Sequence, residues 1–167
     1  GIMKRRVLSL LVDNTSGVLS RVAGLFSRRG YNIDSLTVGV TADPRYSRMT
    51  VVVYGDDQVL DQIVKQVRKL VDVVDVKTLN DGESVNRELI MVKVRAEAND
   101  RQGISAICDI FRAKVIDVAK DSMIIELTGE QGKLSAFLEL MSDYEILELA
   151  RTGITGLSRG AEDVRYL

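Results

Sequence analysis

Asn14, Gly17 and Val18, with Asn32 and Ile33 further along, are the residues whose types suggest a specific task, and that task is grip rather than reaction. They belong to the stretch "DNTSGVLSRVAGLFSRRGYN", residues 13 to 32, and to the residue that follows it; the stretch holds no evident nucleophile, metal-ligand pair or paired acid and base. At the start of a helix several backbone N–H groups lack an internal acceptor and the dipole is positive. An α-carboxylate can be held there without a charged side chain. Gly17 would let that backbone approach a ligand. Asn14 and Asn32 bring amide oxygens able to accept from an ammonium group, and Val18 and Ile33 are branched apolar neighbours for a small side chain. Together they describe a receptor for a small apolar amino acid. The same residues have a plainer use, because polar residues before a helix serve as caps and Gly30-Tyr31-Asn32 can be a helix end leading into a strand. Composition leaves both uses open.

Other chemistries find less support. The chain has no histidine, which removes the commonest general base and the commonest metal ligand. Its single cysteine, Cys108, lies among Ile104, Ile107, Ile110 and Phe111 and is expected to be a small buried hydrophobe; zinc is hard to support and an internal disulfide is excluded. Carboxylates are plentiful but scattered, and Gly17, Gly24 and Gly30 lack the spacing of a dinucleotide fingerprint. No catalytic or metal-binding residue is therefore assigned. With 23 Lys and Arg against 24 Asp and Glu, the net charge of -1 gives no field that favours nucleic acid or an anionic membrane. RNA-recognition modules share the topology deduced below, yet aromatics are only 5% and neither "VLSLLV" nor "MTVVVYG" offers a paired stacking platform. A stand-alone pair of RNA-binding domains, or another amino-acid sensor, remains the alternative. No run of about 18 apolar residues is present, so membrane spanning and secretion are not expected.

The elements that must position these residues follow from periodicity. "VLSLLV" (7 to 12) reads as a strand that stops at the turn-forming run from Asp13 to Gly17. Val18, Val22, Leu25 and Phe26 recur at helical spacing and predict an amphipathic helix over 17–29, capped by Thr15 or Ser16 and closed by Gly30. "YNIDSLTVGV" and "SRMTVVVYG" predict a hairpin around the only proline, Pro44. A helix over 57–69 and the strand "VDVVDVKTL" complete a βαββαβ order, the ferredoxin-like motif.

"NDGESVN" (80–86) reads as a linker, after which the order repeats: strand "ELIMVKVRA", helix 102–112, hairpin "KVIDVAK" with "MIIELTG", helix 131–142 and strand "EILELAR". Shifted by 74 positions, Gly55, Leu60, Ile63, Val64 and Val67 fall on Gly129, Leu134, Phe137, Leu138 and Met141. A shift of 85 puts Val22, Leu25 and Phe26 on Ile107, Ile110 and Phe111. The expected fold is α+β, two ferredoxin-like βαββαβ domains in tandem over 4–79 and 87–167. "GITGLSRG" (153–160) reads either as a solvent-exposed turn or as a partner-binding segment.

"SGVLSRVAGLFSRRGYNIDSLTVG", then "DPRYSRMTVVVYG" and "ARTGITGLSRG", closely resemble the small regulatory subunit of acetolactate synthase, also called acetohydroxyacid synthase, over nearly the whole chain. The opening part is also similar to ACT domains, ferredoxin-like modules that bind amino acids. The resemblance implies an N-terminal ACT domain and a chain that is not itself an enzyme and carries no cofactor. Catalysis would belong to a separate large subunit, with thiamine diphosphate, Mg and FAD, that condenses pyruvate with pyruvate or 2-oxobutyrate on the way to valine, leucine and isoleucine. The family's small subunits raise that activity and, in many members, confer feedback inhibition by valine. Carried over residue by residue, the family's effector loop falls on Asn14, Ser16, Gly17 and Val18, and its second-strand contribution on Asn32 and Ile33. Because family sites lie between paired ACT domains, the resemblance implies a homodimer, with the catalytic subunit and a branched-chain amino acid as partners, in the cytoplasm, and neither nucleic acid nor membrane. The second half has Gly103 but no Gly-Tyr-Asn after its helix, so no effector site is expected there.

Overall fold

Leu8, Leu10 and Val12 alternate with Val7, Ser9 and Leu11, and all six are buried, so this strand has a core on each face. In the computed structural model, which describes residues 1–161, it is β1, Lys4–Asp13. It is followed by α1 (Val18–Arg29), β2 (Asn32–Val40), β3 (Tyr46–Gly55), α2 (Asp57–Arg68) and β4 (Val73–Thr78). The strands form an antiparallel sheet in the order β2-β3-β1-β4, with cross-strand pairs such as Leu8 with Val51 and Leu10 with Met49. Val18, Val22, Leu25 and Phe26 of α1 and Leu60, Ile63 and Val67 of α2 close over Leu8, Leu10, Val12 and Val51. Each such side chain contributes about 1.5–3 kcal/mol when fully buried. Asp56 caps α2 by accepting from the Val59 N–H at 2.8 Å, and Gly30 closes α1 in the left-handed region at φ 66°.

The second set repeats the order as β5 (Ser84–Arg95), α3 (Arg101–Phe111), β6 (Lys114–Val118), β7 (Ser122–Gly129), α4 (Gln131–Met141) and β8 (Ile146–Arg151). Its strands run β6-β7-β5-β8. Ile90, Val92 and Val94 face Leu127, Ile125 and Met123 across β5 and β7, and Ile104, Cys108, Leu134, Phe137 and Met141 cover them from the helices. The α+β fold with two ferredoxin-like sets is therefore as expected. The chain divides into two compact units, Asn86–Gly153 and a unit formed by Gly1–Val85 with the segment that begins at Ile154. β5 starts at Ser84, inside the segment read as a linker.

Two details of the sequence reading are corrected. The shift of 74 aligns buried with buried, but the shift of 85 places Leu25, 6% exposed, on Ile110, 73% exposed. A shift of 86 restores the match of Val18 with Ile104 and Val22 with Cys108, all buried. The cause is chemical: Cys108 is the second core position of α3, and a run of isoleucines beside it masks the true stripe. The other correction concerns 153–160. Ile154 is buried with Val7, Val52 and Leu79 on the face of the first sheet opposite its helices, and the next residues form β9, Thr155–Ser158. Thr37 Oγ1 donates to Ile154 O at 3.0 Å, and the Arg159 N–H donates to Glu83 O at 2.8 Å. This stretch is a covering segment of the first unit, not an exposed turn.

Candidate functional site

The loop between β1 and α1 ends on Gly17, whose φ of 85° and ψ of -4° put it in the left-handed region that only glycine adopts cheaply. Gly17 is itself the residue that precedes the first helical turn, and no side chain caps the helix. The expectation that Thr15 or Ser16 would do so fails, because the left-handed turn stands between those hydroxyls and the amides they would have to reach. The Arg21 N–H donates to Gly17 O at 3.0 Å, and the Val18 N–H reaches Thr15 O only at 3.5 Å. No acceptor among the described residues takes the amides of Leu19 and Ser20. The helix thus starts with donors to spare and its positive dipole end uncovered.

Asn14 is fixed by the β2–β3 hairpin. Its backbone N–H donates to Arg45 O at 2.8 Å, its Nδ2 donates to Pro44 O at 2.9 Å, and its Oδ1 accepts from Ser47 Oγ at 3.2 Å. The hairpin is braced by Thr41 Oγ1, which donates to Asp43 O at 2.7 Å, and by the Arg45–Asp43 ion pair. Hydrogen bonds from the Arg45 side chain and backbone hold the Asp43 carboxyl below the usual range for an aspartate. Ser16 is exposed. The Val18 side chain is 4% exposed and belongs to the core, so at the loop this residue presents backbone.

Asn32 and Ile33 lie elsewhere. Asp13 pairs with Tyr46 at one end of β3, whereas Asn32 pairs with Tyr54 near the other. At about 3.3 Å per residue, the two groups are separated by roughly 25 Å along the sheet. Within one chain the loop residues Asn14, Ser16, Gly17 and Val18 come together, and so do Asn32 and Ile33, but the two sets do not meet. Both Asn32 and Ile33 are exposed on β2, which is an edge strand.

The structure adds residues that the sequence reading passed over. Arg21 Nε donates to Asp72 Oδ2 at 2.5 Å, and the Asp13 N–H donates to Asp72 O at 2.9 Å, so the loop is tied to the turn before β4. A helical neighbour four residues after Gly17 was the available signal for Arg21; nothing local marks Asp72. Cys108 is 2% exposed and burial pushes its thiol up, which keeps it protonated. Among the described residues no group of three or more His, Cys, Asp and Glu side chains could hold a metal ion, and no helix is long and apolar enough to cross a membrane.

A βαββαβ unit with an uncapped polar loop before its first helix has the form of an ACT domain, and residues 8–75 match the family described as the AHAS small subunit-like ACT domain. Residues 87–160 match the family described as the small subunit of acetolactate synthase. The chain is 50% identical to the Escherichia coli K12 acetolactate synthase isozyme 3 small subunit over 162 residues, covering 96% of this chain and 99% of the relative. It is 49% identical to a probable acetolactate synthase small subunit of Archaeoglobus fulgidus over 156 residues, 93% of this chain and 98% of the relative. The crystal structure of an acetolactate synthase small subunit from Thermotoga maritima superposes with a TM-score of 0.87 at 42% identity, covering 95% of this chain and 99% of that one. The chain belongs to the acetolactate synthase small-subunit family.

Proposed function

We propose that this chain is the non-catalytic regulatory subunit of an acetolactate synthase, that it raises the activity of a separate catalytic large subunit, and that it makes that activity sensitive to valine. Thiamine diphosphate, Mg and FAD are then cofactors of the partner, and the complex works in the cytoplasm. The effector is held by Asn14, Ser16, Gly17 and Val18 of one protomer with Asn32 and Ile33 of a second. The observation that carries this reading is the uncapped start of α1 beside left-handed Gly17, where donors await a carboxylate.

The separation of the two residue sets supports a dimer. β1 and β2 each pair antiparallel with β3, so they run parallel, and the loop after β1 lies at the end of the sheet where β2 finishes. If two β2 edges pair antiparallel about a two-fold axis, the start of β2 from one protomer arrives beside the loop of the other. Such pairing also satisfies edge backbone groups and covers Val38 and Val40, which are 47% and 62% exposed. Valine inhibits only by favouring one arrangement of the complex over another, with a coupling of about 1–3 kcal/mol.

The test is reconstitution of this chain with its catalytic subunit, with acetolactate formation measured in the presence of valine, leucine and isoleucine in turn. Activation that valine reverses is expected. A rate that the chain leaves unchanged, or activation indifferent to all three amino acids, overturns the proposal.

A further inference from the structure

Arg21 sits one turn into α1, and its guanidinium folds back over the loop. Its Nε is committed to Asp72. Its Nη2 reaches Ser16 O only at the limit of 3.5 Å, and no acceptor among the described residues takes a hydrogen from Nη1. Nη1 nevertheless has a defined place: a Cβ built on Gly17 would stand 2.9 Å from it. The guanidinium therefore lies against the bare face of the glycine that precedes α1, and the amides of Leu19 and Ser20 in the first helical turn also lack acceptors among the described residues. Asp72 is a firm anchor, since its side chain is only 12% exposed while that of Arg21 is half exposed. A guanidinium is a planar fork of five donors, so holding it through Nε fixes where its other edge points.

We propose that Arg21 is a specificity-determining residue of the effector loop, with Asp72 as its positioning residue: the free Nη1 edge gives the ligand's carboxylate a charge-assisted hydrogen bond that the helix amides alone do not supply. The inference rests on the reading of this loop as the effector site and extends it to the ligand class. Charge-assisted hydrogen bonds are about twice as strong as neutral ones, so the loop selects free amino acids over molecules whose carboxyl group is blocked. The chain then favours an amino acid with a free α-carboxylate over the same side chain with that carboxyl tied up as an amide or ester.

Titration calorimetry of the full chain with valine and with valinamide separates the possibilities. The unaltered chain is expected to bind valine about tenfold or more tightly than valinamide. Arg21→Met should lose about tenfold in valine affinity and little in valinamide affinity, so that the ratio collapses. Arg21→Lys, which keeps the charge and the stem, should fall between them, and it carries the same ratio measurement should Arg21→Met fail to fold. Asp72→Asn should weaken valine binding severalfold through lost orientation. Unchanged valine affinity in Arg21→Met, or equal losses for valine and valinamide, removes Arg21 from recognition while leaving the loop as the site. Absence of valine binding by the unaltered chain overturns the loop reading and this inference with it.

Discussion

Each unit's first helix carries a glycine near its start, Gly17 before α1 and Gly103 within the first turn of α3, and what surrounds the two differs sharply. At Gly17 the backbone is left-handed, no side chain caps the helix and the next amides lack acceptors. The start of α3 lacks a side-chain cap as well, but there the preceding residue, Asp100, is right-handed at φ -87° and ψ -23°, its carboxylate is turned back to accept from the Glu97 N–H at 3.0 Å, and the Tyr144 hydroxyl lies 2.5 Å from where a Cβ on Gly103 would sit. The helices seat the same core positions, Val18 and Val22 in one and Ile104 and Cys108 in the other. The scaffold is therefore shared, and what sets the first unit apart is the left-handed glycine loop before α1, to which the proposed effector site is assigned.

The largest expected effect is at the open end. Gly17→Asp puts a Cβ against Arg21 Nη1 and a carboxylate where the ligand's own should bind, so the protein would occupy its own receptor. Valine inhibition in the reconstituted enzyme should disappear, with affinity down by about 100-fold or more, equivalent to roughly 2.7 kcal/mol or more, while activation survives. Gly103→Ala displaces Tyr144 instead and should leave the inhibition curve in place. If both substitutions act alike on valine response, the contrast between the two helix starts is wrong.

The units also differ in how the far face of each sheet is covered. Ile154 packs on Val7, Val52 and Leu79 in the first unit, whereas Met91, between the core residues Ile90 and Val92 of β5, is 41% exposed. Ile154→Ala should cost about 2–4 kcal/mol, the range for large-to-small changes in a core. Met91→Ala should fall within about 0.5–1 kcal/mol. Urea unfolding of the two variants checks this, and equal losses would mean that Ile154 is not part of a packed layer.

A smaller effect is expected at Asn14, because its contacts with Pro44 and Ser47 orient the loop rather than close it. Asn14→Ala should weaken valine binding by about fivefold to tenfold, near 1 kcal/mol. Calorimetry that returns the unaltered affinity would confine Asn14 to the hairpin.

How much of this was legible beforehand depends on the range of the interaction. Element order and the α1 and α2 stripes were readable because Val18, Val22, Leu25, Leu60 and Ile63 repeat at a local period. The role of Ile154 was not, since its partners Val7 and Val52 lie far away in sequence and its neighbours are the glycines and threonines of an ordinary turn. At the site itself, nearness in the sequence is no guide to nearness in the fold. Asn14 and Asn32 flank one helix in the sequence, yet β1 and β2 run parallel and carry them to opposite ends of the sheet. Residue type makes Thr15 or Ser16 able to cap α1, and the backbone angle at Gly17 prevents it.

The helix ends give the finest contrast. α1 closes on Gly30 at φ 66° and ψ 25°, and α3 closes on Arg112 at φ 58° and ψ 37°, the one non-glycine residue with positive φ among those described. In each case the following amide donates back into the helix, Tyr31 to Phe26 O at 3.0 Å and Ala113 to Cys108 O at 2.8 Å. The turn is the same, but a side chain in that conformation costs roughly 1–2 kcal/mol. Glycine relieves that strain and returns part of the gain by loosening the unfolded chain. Arg112→Gly should therefore stabilise the second unit by about 0.5–1 kcal/mol, and Gly30→Arg should destabilise the first by a similar amount. On thermal unfolding each shift should be about 2–4 °C, in opposite directions. A fall in the melting temperature of Arg112→Gly would show that the arginine side chain does more at this turn than its backbone strain takes away.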